Sequence, residues 1–270
     1  MSSSDTKTLQ TRHGPMVALA GDRYITGSLE AYGEFSAAEW ELLEQLVKPG
    51  MTVVEAGANI GTHSVPLARR CFPGPLYLFE PQQRVFQILC ANLALNDIRN
   101  VIAYPEACGD VDGFVIVPPL NYGAQGNFGG ISVRAEAEGV NGLRVRATPL
   151  DSLGLGACHM IKIDVEGFEA QVLRGAAETI RKFRPILYVE NDRQAHQQEV
   201  ISLIADMGYT LYWHLPPLFS AENFNGNPED IFGRIVSINM LALPTERGAT
   251  VQGATPIDPT NWTTPVKLSL

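Results

Sequence analysis

The chain has 270 residues, 45% of them hydrophobic and 18% charged, enough to bury a sizeable core as one domain with additions. Its 20 Lys and Arg against 29 Asp and Glu leave a net charge of −9 with no basic stripe, which excludes the clustered cations that a nucleic-acid backbone requires. The polar start MSSSDTKTLQ has no apolar signal segment, no run is long enough to span a bilayer, and the four cysteines, Cys71, Cys90, Cys108 and Cys158, show neither CxxC nor zinc spacing, so a reduced, cytoplasmic protein is expected.

Residues 1–14 lack periodicity and are expected to be disordered. PMVALAGDRYITGSL reads as a hairpin turning at Gly21-Asp22. SAAEWELLEQLVKPG reads as a helix: Ser36 and Glu39 suggest a capping box, Trp40, Leu43, Leu46 and Val47 form its apolar face, and Pro49-Gly50 stops it. Strands and helices then alternate. MTVVEAG, PLYLFEP, NVIAYPEACG, HMIKIDVEG and RPILYVEND read as strands, with helices at THSVPLARRC, Gln83 to Leu95 and about Phe168 to Phe183. A helix with Val200, Leu203, Ile204 and Met207 on its face follows, and YTLYWHL and RIVSINMLAL lie close enough to pair antiparallel. This pattern predicts a Rossmann-like, doubly wound α/β fold with a mostly parallel seven-stranded sheet, an antiparallel end and an N-terminal hairpin. The expected single domain covers 15–244, with a β-rich insertion at 112–147 acting as a lid and a Pro/Thr-rich tail of little core potential at 245–270.

In open α/β sheets, ligands bind outside the carboxyl ends of the strands at the switch point of strand order. The first sheet strand ends at Glu55 and runs into the turn Gly57-Ala58-Asn59-Ile60-Gly61. The second ends at Glu80, about 25 positions on, where an acid can accept hydrogen bonds from both hydroxyls of a ribose. A dinucleotide would bring two phosphates over the turn, yet the spacing is GxxxG and Glu55 adds negative charge there. S-adenosylmethionine brings an ammonium and a sulfonium, which an acid favours, and its carboxylate can use the backbone N–H groups at the Thr62 helix start. The turn therefore favours that cofactor over NAD. The opposite reading is a solvated strand end followed by a tight turn.

VVEAGANIGTHSV, LFEP followed by a helix with Asn92, IKIDVEGFEAQVLRGA and RPILYVEN together resemble the FkbM-type methyltransferases, over roughly residues 30–244. The resemblance implies a class I S-adenosylmethionine-dependent enzyme, many relatives of which methylate hydroxyl oxygens on sugars and natural products. It implies that Glu55, Gly57, Asn59 and Gly61 line the methionine half of the cofactor, with Thr62 and His63 beside them. It likewise gives the ribose to Glu80, the pocket edge to Pro81 and the adenine flanks to Ala107 and Cys108. Asp164 to Gly167 fall where the methyl meets its acceptor, and YGEFS, with Tyr32 and Glu34, falls where the family closes over the cofactor. The family often has Asp where this chain has Glu55.

Methyl transfer from a sulfonium is an in-line displacement, and an alcohol acceptor needs a base. Asp164, Glu166, Glu190 and Asp192 stand at strand ends. Asp164 and Glu190 end apolar strands and are the leading acids, Glu166 also reads as a helix cap, and Asp192 as an exposed turn residue. Among the histidines, His214 is the candidate, on an aromatic strand end before a long loop; the other reading is a strand-end histidine capping a backbone group. That loop carries Asn223 and Asn225 and the insertion Asn127 and Phe128, amides and rings that suit a carbohydrate, although such residues also simply make turns. The paired acids could also hold a divalent cation that binds and acidifies a sugar diol, but no established metal motif is present, so metal dependence is the minority reading and no metal site is assigned. The reading is an O-methyltransferase for a sugar, glycan or glycosylated natural product, with a small-molecule or glycan acceptor. The alternatives are an NAD-dependent oxidoreductase and an inactive cofactor-binding interaction module.

Overall fold

The computed structural model describes residues 5–137 and 139–263. The chain opens on an antiparallel hairpin, Thr6–Thr11 (β1) with Gly14–Leu19 (β2). Its strands begin within the stretch expected to be disordered and its turn lies before Gly21-Asp22. Three threonines in β1 supply β-branched side chains, Gly14 takes φ +109°, and the Thr11 hydroxyl donates to the Gly14 carbonyl at 2.6 Å. Residues 1–4 of the expected tail lie outside the described residues. Gly21-Asp22 instead leads into a helix, Ile25–Tyr32 (α1): Asp22 Oδ1 accepts from the N–H groups of Ile25 and Thr26 at 2.7 and 3.1 Å.

Ala37–Leu46 (α2) buries Leu43 and Val47 on the expected face, with Trp40 and Leu46 partly buried. The capping box does not form, because Ser36 takes φ 48° and its hydroxyl donates to the Glu39 carboxylate at 3.2 Å. Then follow Val53–Ala56 (β3), Ser64–Cys71 (α3), Leu76–Phe79 (β4), Gln83–Leu95 (α4) and Val101–Tyr104 (β5). The expected third strand stops before Pro105, and Ala107–Cys108 (β6) joins a second sheet with Gly113–Val117 (β7), Arg134–Ala135 (β8) and Leu143–Thr148 (β9). The insertion is thus β-rich and built onto the main domain. Met160–Ile163 (β10) precedes two short helices, Glu169–Gly175 (α5) and Ala177–Phe183 (α6), where one was expected. A Cβ at Gly175 would stand 1.8 Å from the Gly109 carbonyl oxygen, so only glycine lets α5 pass β6 that closely. Ile186–Glu190 (β11), Gln194–Asp206 (α7), Tyr209–His214 (β12) and Asn239–Pro244 (β13) complete the fold.

The main sheet has seven strands in the order β12-β13-β11-β10-β3-β4-β5. β11, β10, β3, β4 and β5 run parallel, and β13 is antiparallel to both β11 and β12. β3 is first in the chain, β4 and β5 extend to one side of it and β10 and β11 to the other, so the switch point lies between β3 and β10. Alternate residues supply two buried layers. Val54, Ile161, Ile163, Leu187 and Val189 pack on α5, α6 and α7, and Val53, Leu76, Leu78 and Met160 on α2, α3 and α4. The register sets Lys162 beside Glu55 on one side and Tyr188 on the other, which puts a lysine among the fully buried side chains.

The tail from 245 is not idle. The Ile257 N–H donates to the Leu211 carbonyl at 2.8 Å with its side chain buried, and Trp262 packs on Trp213 with ring centroids 6.1 Å apart. Residues 264–270 of that tail lie outside the described residues. Among the described residues no helix is long and apolar enough to cross a membrane.

Candidate active site

A cleft of about 1260 Å³, counted to its open mouth, lies over the carboxyl ends of β3, β4, β10 and β11. Its floor is the turn after β3. Gly57, Asn59 and Gly61 take φ of 85°, 49° and 91°, and the N–H groups of Gly57 and Ala58 both donate to the Phe79 carbonyl at 3.0 Å. A Cβ at Gly57 would stand 1.8 Å from the Asp164 carbonyl oxygen, and one at Gly61 2.8 Å from Leu89 Cδ1. Gly57 lets the ends of β3 and β10 meet, whereas Gly61 packs on α4 and does not line the cleft. Gly57→Ala adds left-handed strain to a backbone clash, so a loss of about 2–4 kcal/mol is expected, read in thermal melts as a fall in Tm on the order of 10 °C.

The side chains under the turn form a charged cluster. Lys162, 2% exposed, places Nζ 3.0 Å from Asp164 Oδ2, 3.6 Å from Glu39 Oε1 and 3.8 Å from Glu55 Oε1. Burial favours the neutral amine, but Asp164, Glu39 and Glu55 outweigh it and hold Lys162 protonated above the usual lysine range. Glu55 accepts from the Ser64 hydroxyl at 2.6 Å, and burial raises its pKa to about 7 against the opposing pull of Lys162 and Ser64. His63 sets Nδ1 3.6 Å from Glu39, burial lowers its pKa, and its Nε2 has no partner among the described residues.

Glu80, at the end of β4, accepts from the backbone N–H of Asn59 at 2.9 Å through Oε2 and from that of Gln82 at 2.8 Å through Oε1. The two bonds fix the carboxylate while leaving each oxygen acceptor capacity. Burial raises its pKa to about 7 despite those bonds. Pro81, Ala107 and Cys108 line the cleft with it, as do Phe79, which stacks on Tyr104 with centroids 4.8 Å apart, and Phe168.

At the ends of β10 and β11 the carboxylates of Asp164, Glu166 and Glu190 lie within 4.8 Å of one another. Desolvation by burial opposes the charge on Asp164, but the charge of Lys162 and hydrogen bonds from Lys162 and Glu190 outweigh that and hold its carboxyl below the usual range. Glu190 is pushed far up by burial and then by the charges of Asp164, Glu166 and Asp192, so it keeps the proton of the pair. Glu166 takes φ 57° and pairs with Arg193, while burial and then Asp164 raise its pKa to about 8. The backbone N–H that a helix-capping Glu166 was expected to meet is instead taken by Glu169, which accepts from Gly167 at 2.8 Å. The trio has the donor chemistry of a divalent-cation site, and Lys162 and Arg193 already supply two positive charges to it. Asp192 pairs with Arg193 at 3.4 Å and does not line the cleft.

The insertion reaches over this floor. Gln82 Nε2 donates to the Phe128 carbonyl at 2.9 Å, the Tyr122 hydroxyl donates to Gln82 Oε1 at 3.2 Å, and the Phe128 N–H donates to Asp22 at 3.1 Å. These bonds set Asn127, Gly129, Gly130 and Ile131 on the cleft wall.

Of the expected residues, Glu55, Gly57, Asn59, Thr62, His63, Glu80, Pro81, Ala107, Cys108, Asn127, Asp164, Glu166 and Glu190 share the cleft. Others do not reach it. His214 stands on β12, with β13 and β11 between it and β10, and its Nδ1 lies 2.8 Å from the Tyr188 hydroxyl. Phe128 is buried against Tyr122. Asn223 ties the carbonyls of Ser220 and Asn227 at 2.8 and 2.6 Å, and Asn225 donates to the Glu30 carbonyl at 3.1 Å, so both brace their loop; Leu218 and Ser237 reach the cleft from it instead. Glu34 pairs with Arg12 and faces a neighbouring cavity. The Tyr32 hydroxyl is spent on the loop, donating to the Glu229 carbonyl at 2.9 Å. Lys162 and Gln82 were not foreseen. The signal for Lys162 was a lysine between Ile161 and Ile163 in a strand otherwise apolar.

Sheet order, glycine turn and acid-lined cleft at the switch point are those of a Rossmann-like fold with its ligand site at the carboxyl edge. A model of the FkbM methyltransferase domain matches residues 55–211, and the chain belongs to that family. The methyltransferase sdnD of Sordaria araneosa is 25% identical over 192 residues, which are 59% of this chain and 73% of that protein. The FkbM methyltransferase structure from Methylobacillus flagellatus KT aligns with a TM-score of 0.43 and 15% identity over 76% of this chain and 50% of that one. TYW2 of M. jannaschii, solved in complex with AdoMet, aligns with a TM-score of 0.46 and 11% identity over 90% and 87%.

S-adenosylmethionine is the cofactor of this enzyme. The donor set fits it: the cleft presents Glu55, Glu80 and Asp164, and its one lysine is surrounded by carboxylates, an arrangement for cations and hydroxyls and not for a pyrophosphate. Donor binding that needs ionised Glu80 strengthens as pH rises. Because that carboxyl titrates near pH 7, calorimetry with S-adenosylhomocysteine is expected to show affinity rising about tenfold from pH 6 to pH 8 and levelling above. A flat profile over that range would remove Glu80 from donor binding.

Proposed function

We propose that the enzyme transfers the methyl group to a hydroxyl oxygen of a sugar, glycan or glycosylated natural product. The observation that carries the reading is the Asp164 carboxylate, held 3.0 Å from Lys162 Nζ and lining the cleft together with the glycine turn and the insertion. When bound, S-adenosylmethionine supplies an electrophilic methyl carbon on its sulfonium. In this reading Glu80 holds the ribose hydroxyls, and Glu55 with the turn after β3 orients the methionine end. Asp164 accepts the hydrogen bond of the acceptor hydroxyl and takes its proton. As the new carbon–oxygen bond forms, that proton becomes far more acidic than a carboxylic acid, so a carboxylate of depressed pKa still accepts it.

Lys162 and protonated Glu190 act as positioning residues that keep Asp164 ionised and aimed. Glu166 and Asn127 are assigned to the acceptor's other hydroxyls, and the insertion at 112–147 acts as a lid that excludes water. The −9 charge and the acid-rich lining support a neutral or cationic acceptor over a polyanionic one. The test is incubation with isotopically labelled donor and a panel of free sugars, glycosides and phenols, read by mass spectrometry. Label on a sugar oxygen supports the reading. Transfer to phenols alone, or to nitrogen, overturns it, and no transfer to any acceptor favours the inactive module.

A further inference from the structure

A second cavity of about 680 Å³ opens beside the cleft and shares the wall made by Phe35, Thr62 and His63. Neither the donor residues beyond that wall nor the proposed base uses it. Two of its lining residues, Glu34 and His63, are each only 5% exposed and carry a buried polar atom, Oε1 and Nε2, with no partner among the described residues. Buried polar atoms are nearly always satisfied; His63 stands on the wall shared with the cleft, and Glu34, which lines this cavity and not the cleft, is the orphan that points to a ligand here.

The rest of the lining gives that ligand its chemistry. Glu41, Glu44 and Glu222 stand exposed on the rim. Arg12 is already engaged, pairing with Glu34 and donating to the Glu222 carbonyl at 2.8 Å. His13 is held neutral: burial first, then the charges of His63, Arg12 and Arg69, lower its pKa to about 4. Trp40 supplies an indole to the lining, in a T-shaped contact with the His13 ring at 5.4 Å between centroids. The acids outnumber the one charged cation, and an indole lies among them, an arrangement suited to a ring bearing a protonated amine.

We propose that this cavity binds an amino sugar, its ammonium among Glu34 and the rim carboxylates and its ring on Trp40. The choice of a sugar ring rests on the acceptor reading above, but binding here needs no methyl transfer and is measured without donor. The experiment is titration of the full-length protein with D-glucosamine and, separately, D-glucose, followed by tryptophan fluorescence at low ionic strength and at a pH that keeps the amine charged. The expected result is saturable quenching by glucosamine at least ~10-fold tighter than by glucose, the order set by one desolvated ion pair. Trp40→Phe should abolish the signal, because Trp213 and Trp262 pack in the other core layer of the sheet and do not line this cavity.

Glu34→Gln tests the buried acid. Because its pairing with Arg12 also supports the fold, the double variant Glu41→Gln/Glu44→Gln on the exposed rim is the second test, with affinity expected to fall at least ~3-fold. No saturable change with glucosamine, equal affinity for glucose, or unchanged affinity in the rim variant each overturns the proposal. Methylation of neutral sugars without glucosamine binding would remove this site and leave the acceptor reading standing. Glucosamine binding without any sugar methylation would do the reverse.

Discussion

Asp164→Asn is expected to lower turnover by ~10²–10⁴ while S-adenosylhomocysteine affinity stays within about threefold. The substitution keeps the shape and the backbone carbonyl that Gly57 packs against, and removes the charge that Lys162 and Glu190 hold in place. An amide cannot take the proton of an acceptor hydroxyl. Single-turnover measurement with labelled donor separates this from slow product release. Because Lys162 and Glu190 keep Asp164 ionised below the usual carboxylate range, the acid limb of kcat should lie well below pH 7, whereas that of donor binding follows Glu80 near pH 7. If Asp164→Asn turns over at the wild-type rate, Asp164 is not the base and the mechanism built on it fails.

The second large effect is at Glu80. Glu80→Ala should weaken S-adenosylhomocysteine binding ~10²-fold or more, because two hydroxyls lose a charged acceptor worth about 1.5–3 kcal/mol each. The same side chain also anchors the N–H groups of Asn59 and Gln82, so the variant loosens the turn as well as the ribose contact. Circular dichroism and a thermal melt show whether the protein is still folded, and calorimetry reads the loss. Unchanged affinity in a folded variant would sink the ribose assignment. A folded variant that binds weakly and regains turnover at high donor concentration would show that Glu80 acts in binding alone.

Asn92 illustrates how much of the cleft floor depends on contacts remote in sequence. It sits fully buried in α4, accepts from the Val17 N–H at 2.7 Å, and donates to the carbonyls of Val17 and Ile60 at 2.9 and 2.8 Å. One amide therefore joins the N-terminal hairpin, a sheet helix and the glycine turn. The sequence resemblance singled out Asn92 without giving it a role, because its partners are local neither to it nor to one another.

The residues themselves determined the parallel sheet, the turn after β3 and the acids at the strand ends. Those features follow from local physics: apolar runs of strand length, glycines at positive φ, and a charge where an apolar strand must emerge into water. The resemblance carried by the GANIG and IDVEG motifs added the family.

Tertiary structure alone decided which of those groups meet and in what protonation state. Strand register set Lys162 between Glu55 and Tyr188 and so put beside Asp164 the cation that holds its carboxyl below the usual range. Strand order carried His214 three strands away from β10, although the sequence ranks it with the strand-end acids. The asparagines of the late loop found carbonyls nearby and braced the loop, since an amide can serve a turn as readily as a sugar. Tail residues expected to have little core potential gained partners in Leu211 and Trp213, which no local pattern specifies. Periodicity and turn chemistry are properties of neighbours in the chain, whereas register, charge pairing and burial belong to neighbours in space.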